Sequence, residues 1–304
     1  MIRFIVSRLI WSIPVLFLVA TLTFAIMHAV PGGPFDKEKK LPPEIKANVE
    51  AKYHLNEPLW RQYLLYLGGL LRGDLGPSYK YLGRTVNDVI ADTFPVSAEL
   101  GLLAMAVAVV LGVGFGTLAA VKGGTVDRIN IFLATAGISV PSFVLGAFLV
   151  LVFAHILHLF PPALWEDPRH AVLPAIALGM GPAAYIARLT RSAVLEVAHQ
   201  DFVRTARAKG LAEAAIIRKY LLRNALTPVV TILGPLTAGL VTGSLVIEYI
   251  FSIPGMGRFY ITAVTNRDYP LVMGVTLIYA VLIVAANLAV DLINALLDPR
   301  IRLE

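Results

Sequence analysis

The residue types that carry chemistry are sparse in this 304-residue chain. It has six histidines (His28, His54, His155, His158, His170 and His199) and no cysteine. Without cysteine there is no disulfide framework, Cys-ligated zinc, iron–sulfur cluster or cysteine nucleophile. His155 and His158 share a helical face, but two histidines near the end of an apolar run fall short of the three or four ligands of the usual site, so no metal is expected. The sequence holds no G-x-x-x-x-G-K-[ST] phosphate loop, no H-E-x-x-H and no G-x-S-x-G. No catalytic residue is predicted, and the chain is not expected to hydrolyse ATP by that route. Glu99, Glu248 and Asp291 fall at the ends of apolar runs and read as boundary charges. No carboxylate or amine lies mid-run, where a proton or sodium relay would need one. A protein that moves something without an ion relay or a nucleotide site must draw its energy from a partner.

The elements that position these residues follow from composition. Hydrophobic residues make up 57% of the chain and charged residues 15%, against about 25% charged in average soluble domains. Mean hydropathy is +0.74. A soluble protein with this balance would expose an aggregating apolar surface, so the chain is read as a membrane protein. Its net charge of +6 then points to the positive-inside bias rather than to nucleic acid.

A helix needs about 20 apolar residues to bridge the hydrocarbon core. Six charge-free windows qualify: Leu9–Val30, Leu100–Val121, Ile129–Pro162, Ala171–Ala187, Ala225–Ile247 and Tyr269–Val290. The expectation is an all-α polytopic fold with six transmembrane helices. The third window is longer than needed and is expected to run out into a loop at His155–Pro162. The fourth is the weakest, being short and interrupted by Pro174, Gly179, Gly181 and Pro182. The first reads as an uncleaved span, because Val30-Pro31-Gly32-Gly33-Pro34 is a poor signal-peptidase site. With the N-terminus inside, segments 1–8, 122–128, 188–223 and 291–304 hold 14 Lys and Arg, while loops 163–170 and 248–268 hold 3; the remaining 9 lie in the outside segment 31–99, which is long enough to be largely exempt from the rule. Both termini are therefore expected in the cytoplasm.

The organisation expected is a tail and first span at 1–30, an extracytoplasmic cap segment at 31–99, and a core at 100–304. In the cap, Pro58 opens a helix that places Leu59, Tyr63, Tyr66, Leu67 and Leu70 on one face. Segment 188–223 is the most basic part. There Asp201 is suited to cap a helix from Phe202, and Gly210 is a natural reversal between two short amphipathic helices over 202–220. Such a pair either lies on a lipid surface or docks in a groove of another protein.

The stretch Asp201-Phe202-Val203-Arg204-Thr205-Ala206-Arg207-Ala208-Lys209-Gly210-Leu211 resembles the coupling-helix motif of bacterial ABC importer permeases. Gly210 follows the triplet Arg204-Thr205-Ala206 by four positions, in the form seen in the peptide-importer branch. Other stretches resemble the same branch: Val30-Pro31-Gly32-Gly33-Pro34, Leu41-Pro42-Pro43-Glu44, Gly73-Asp74-Leu75-Gly76-Pro77-Ser78, Phe94-Pro95-Val96-Ser97-Ala98, Phe251-Ser252-Ile253-Pro254-Gly255-Met256-Gly257, Asn266-Arg267-Asp268-Tyr269 and Asp298-Pro299-Arg300. The resemblance implies a B-type permease subunit of an oligopeptide importer in the bacterial cytoplasmic (inner) membrane. It implies as partners a homologous second permease, two ABC ATPases, which would hold the ATP and Mg, and an extracytoplasmic peptide-binding protein. No cofactor is expected in this chain. It assigns Val203, Arg204, Thr205, Ala206, Arg207, Lys209, Gly210 and Leu211 to ATPase coupling, with the small-residue face at Ala206 packing in the ATPase groove.

The fifth window carries Thr231, Thr237, Thr242 and Ser244 among Pro228, Gly234, Pro235, Gly239 and Gly243. Hydroxyls suit a path that must wet peptide amides without gripping side chains, so Thr237, Thr242 and Ser244 are candidate path residues, with Ser139 and Ser142 in the third window. Gly239 and Gly243 form a small-xxx-small pair, whose plain reading is close helix packing. Tyr63, Tyr66, Glu248, Arg258 and Arg267 are candidates for binding-protein docking or an outer gate. The rival classes, an ion-driven transporter and a membrane-embedded enzyme, are opposed by the missing mid-span charges and the missing catalytic groups.

Overall fold

A computed structural model describes residues 2–35 and 50–297; the stretches at 41–44 and 298–300 quoted above lie outside the described residues. The chain folds into helices. These are α1 (Ile2–Ala29), α2 (Leu59–Leu70), α3 (Val86–Lys122), α4 (Gly124–Ser139), α5 (Ser142–Ile156) and α6 (Pro168–Ala198). Then come α7 (Asp201–Ala208) and α8, which starts as Glu213–Ile216, widens over Ile217–Leu221 and ends as Leu222–Ala225. Next are α9 (Thr227–Val241), α10 (Leu245–Ile250), α11 (Met256–Asn266) and α12 (Tyr269–Leu297).

Five stretches are long and apolar enough to cross a membrane: α1, α3, α6, α9 with α10, and α12. The third window is not one continuous helix: α4 and α5 meet at a bend of 105° and make a sixth crossing only as a broken pair. Pro141 is the cause. It has no N–H for the helix ladder, and it pushes Val140 into an extended conformation (ψ 122°). Helix α5 ends at Ile156, and the chain then leaves as a loop, as expected.

The fourth window is not weak in the fold. Helix α6 runs for 31 residues through Pro174 and Pro182, opened by Asp167, whose carboxylate accepts from the Arg169 N–H at 2.7 Å, and by Pro168 in the first turn. Half of its most apolar window is buried, the largest share of any span. Small residues allow this. A β-carbon added at Gly112 of α3 would lie 2.6 Å from Ile186 Cβ, and one at Gly116 would meet the Ala187 carbonyl. Close packing thus falls on Gly112 and Gly116 of α3, and likewise on Gly101 against Leu240 and Gly179 against Ala104, rather than on the expected pair Gly239 and Gly243. Gly239 has open space around it, and Gly243 sits in the break between α9 and α10 at φ +92°.

Helix α3 starts at Val86, upstream of the charge-free window at Leu100, because Thr85 and Asp88 form a reciprocal cap at its N-terminus. Helix α1 runs beside α12, and only 11% of its apolar window is buried, which leaves most of its surface facing outward.

Candidate functional site

The bundle has two ends. At one end α3 stops at Lys122, α4 starts, α6 stops, and α7 and α8 form a hairpin. Gln200, not Asp201, holds the cap position of α7 and makes no side-chain cap bond. Asp201 instead occupies the first turn, where a carboxylate suits the helix dipole. Val203 (0% exposed) and Ala206 (3%) pack against Ala193, Val194 and Val197 of α6 and Ile216, Leu221 and Ala225 of α8. This corrects the reading of the small-residue face: Ala206 seats α7 on its own chain and has no surface left for a partner's groove. Arg204, Thr205, Arg207, Lys209, Gly210 and Leu211 are exposed. The chain reverses at Gly210, with φ +74° and no atom within 4 Å of where a β-carbon would stand. Arg207 Nη2 donates to Glu213 Oε1 at 2.9 Å across that turn. The guanidinium holds the Glu213 carboxyl below the usual carboxylate range. At the same end Arg191 of α6 grips Asp127 of α4 with two hydrogen bonds, one at 2.6 Å. Neither Glu213 nor the Asp127–Arg191 pair was foreseen: Glu213 meets Arg207 only because the chain reverses at Gly210, and Asp127 and Arg191 stand 64 positions apart.

The candidate path residues do not form one surface. Thr231, Thr237 and Thr242 line a cleft of about 470 Å³ between α9 and α12, whose other wall includes Leu282, Ala285, Ala286 and Ala289. Each hydroxyl donates within its own helix: Thr231 to Thr227 O (3.1 Å), Thr237 to Leu233 O (2.7 Å) and Thr242 to Gly239 O (3.0 Å). The cleft is thus offered acceptor lone pairs rather than donors. Ser139 and Ser142 flank the Pro141 bend and are not part of this cleft. Ser244 is outside it too, because its Oγ caps α10 by accepting from Ile247 N at 3.3 Å.

The opposite end gathers stretches far apart in sequence. Tyr63 Oη shares a hydrogen bond of 2.6 Å with Thr21 Oγ1, and Tyr66 stacks on Phe24 at 5.9 Å. Burial and the neighbouring Tyr63 push the Tyr66 phenol up to about 12. These two tyrosines fasten α2 to α1. The exposed side of α2 carries Leu59, Trp60 (64% exposed), Leu64 and Leu65. Glu248 is fully buried, which corrects its reading as a boundary charge. It accepts from Ser97 Oγ (2.9 Å), Ser244 N (3.2 Å), Gly257 N (2.7 Å) and Arg258 N (3.3 Å). Arg258 Nη1 donates to Ser252 O at 2.9 Å, and Arg267 Nη1 to Gly33 O at 3.4 Å. The sequence reading missed Asp268 and Ser78. Asp268 is fully buried and accepts from Ser78 Oγ, Tyr79 N (3.1 Å) and Lys80 N (3.3 Å). Both lie in stretches quoted above, but nothing in the pattern said that the two stretches meet. Among the described residues no three His, Asp or Glu side chains are grouped as a metal ion would need.

Comparison with known proteins bears on both ends. The family described as "Binding-protein-dependent transport system inner membrane component" matches residues 112–303, and its N-terminal companion family matches residues 1–101. The chain is 47% identical to the oligopeptide transport system permease protein OppB of Haemophilus influenzae, over 99% of this chain and 100% of that protein. It is 46% identical to the dipeptide transport system permease protein DppB of Bacillus subtilis, over 100% and 99%. Among solved structures it resembles a chain of the MetNI methionine ABC transporter in an inward-facing conformation. That match has a TM-score of 0.55 and 21% identity, covering 67% of this chain and 94% of that one, a likeness of fold. The helical bundle and the matches along its whole length agree: the chain belongs to the inner membrane components of binding-protein-dependent transport systems.

Proposed function

We propose that this chain is the translocation subunit of an ATP-driven peptide importer. It works beside a homologous second permease, two ATPases that carry the ATP and Mg, and an extracytoplasmic peptide-binding protein. The full-length likeness to oligopeptide and dipeptide permeases carries this reading. The excess of Lys and Arg at the α7–α8 end supports an orientation with that end, and both termini, in the cytoplasm. There the exposed Arg204, Thr205, Arg207, Lys209 and Leu211 meet the ATPases, while Val203 and Ala206 anchor the hairpin to α6. A push on the hairpin reaches α6 through that cluster and α4 through Arg191 and Asp127. Helix α4 ends at the bend in the third span, so the push arrives where the bundle is already broken. Peptide passes between the two permeases without chemistry, wetted by the threonine cleft of α9 and α12.

The test is uptake by proteoliposomes holding all subunits. Peptide is expected to accumulate only with ATP inside and loaded binding protein outside. Uptake driven by a proton or sodium gradient without ATP would overturn the reading.

A further inference from the structure

Glu248 is a carboxylate with no exposed surface. A buried carboxylate is costly unless it is hydrogen-bonded. Its donors come from three separate elements: Ser97 of α3, Ser244 at the break between α9 and α10, and Gly257 and Arg258 at the start of α11. Ser97 Oγ also accepts from Met256 N at 2.9 Å. The first N–H groups of a helix lack partners within it, and Gly255, at the cap position of α11, has no side chain to supply one. Ser97 and Glu248 therefore cap α11 from outside, and the negative charge suits the helix N-terminus. Three glycines make room for the carboxylate. A β-carbon at Gly243 would lie 2.6 Å from Glu248 Oε1, one at Gly257 2.9 Å from Oε2, and one at Gly255 would collide with Oε2 outright.

The far end of α11 is fastened as well. Asp268, two residues beyond the helix, takes the N–H groups of Tyr79 and Lys80 and the Ser78 hydroxyl, and Tyr269 Oη donates to Gly32 O at 3.1 Å. Helix α11 thus ties the break in the fifth span at one end to the cap segment at the other. We propose that Glu248 is a positioning residue for transport. Its carboxylate clamps the break at Gly243–Ser244 to α11, so that cap, α11 and break move as one body, and a binding protein seated on the cap is felt at the break. This rests on the transporter reading above.

The test uses the complete reconstituted complex and the ratio of ATPase activity with loaded binding protein to that without it. Glu248→Gln keeps the side-chain volume but replaces one acceptor oxygen. Gly255→Ala keeps the carboxylate but puts a methyl where it lies. Both variants are expected to co-purify with the other subunits and to lose the stimulation, the ratio falling toward unity. The double variant is expected to be no worse than the worse single, because both changes break one clamp. If Glu248→Gln does not co-purify, Ser97→Ala decides by the same ratio, with a partial loss expected. Stimulation as in the wild type, or losses that multiply in the double variant, would overturn the clamp. A wild-type complex that loaded binding protein does not stimulate would instead count against the transporter reading.

Discussion

Gly210 and Gly112 need their missing side chains for opposite reasons. At Gly210 the space is open and the backbone is left-handed, so a substitution is strained but not crowded. Gly210→Val is expected to cost about 1–3 kcal/mol and to misdirect α8. Gly210→Asn is expected to be milder, because asparagine tolerates that region. Co-purification with the ATPases should fall for valine and hold for asparagine; equal loss in both would mean that φ is not the issue. Gly112 has an ordinary helical backbone but no room. Gly112→Ala is expected to destabilise the subunit by about 1–3 kcal/mol through overpacking. Gly239→Ala, with nothing around it, should be neutral or stabilising by up to about 1 kcal/mol. Thermal melting of the detergent-purified subunit separates the two, and equal shifts would contradict the close approach of α3 to α6. The sequence flagged Gly210 because its spacing from Ala206 is local. It misassigned the packing glycines because that role depends on which helix lies opposite.

At the scale of elements, the α7–α8 hairpin is held by its buried face and by one ion pair across the turn. The folded-state carboxyl of Glu213 titrates below its unfolded value, because Arg207 favours the charged form. The pair therefore contributes above the unfolded carboxylate range and is lost as pH falls through the folded value. Amide exchange in the hairpin, corrected for intrinsic rates, is expected to be flat between about pH 6 and pH 8 and to quicken in acid. Glu213→Gln should remove that acid step, and an unchanged step in this variant would assign it to another group. The broken third span is also an element-level property. Pro141 was legible as a residue, but a 105° bend requires helices on both sides to have somewhere to pack, and α4 finds that place on α6.

For the whole molecule, the proposed orientation rests on charge asymmetry, and the cysteine-free chain makes it directly testable. Lys209 in the hairpin and Trp60 on α2 are both exposed and lie at opposite ends. With a membrane-impermeant maleimide on spheroplasts, Trp60→Cys is expected to label at once and Lys209→Cys only after permeabilisation. The reverse pattern would invert the topology. The two ends also differ in their charges: the hairpin end carries exposed cations, whereas the other buries Glu248 and Asp268 on hydroxyls and backbone amides.

The sequence by itself determined the class, the existence and order of the spans, the basic end, the hairpin at Gly210 and the family resemblance, but not the span limits: α3 starts at Val86 and α6 runs on to Ala198, well outside the charge-free windows. Each of these rests on composition or on spacing within one segment, where the chain's own periodicity carries the information. Tertiary structure decided which small residues let α3 touch α6, that Ala206 faces inward, that Ser244 caps α10 outside the threonine cleft, and that Glu248 and Asp268 are buried anchors. A carboxylate at the end of an apolar run looks the same whether it meets water or four donors. Those donors come from Ser97, Ser244, Gly257 and Arg258, which stand up to 151 positions away along the chain. Only the packing of α3, α10 and α11 sets them around one side chain, so the burial of Glu248 is a property of the fold and not of the local sequence.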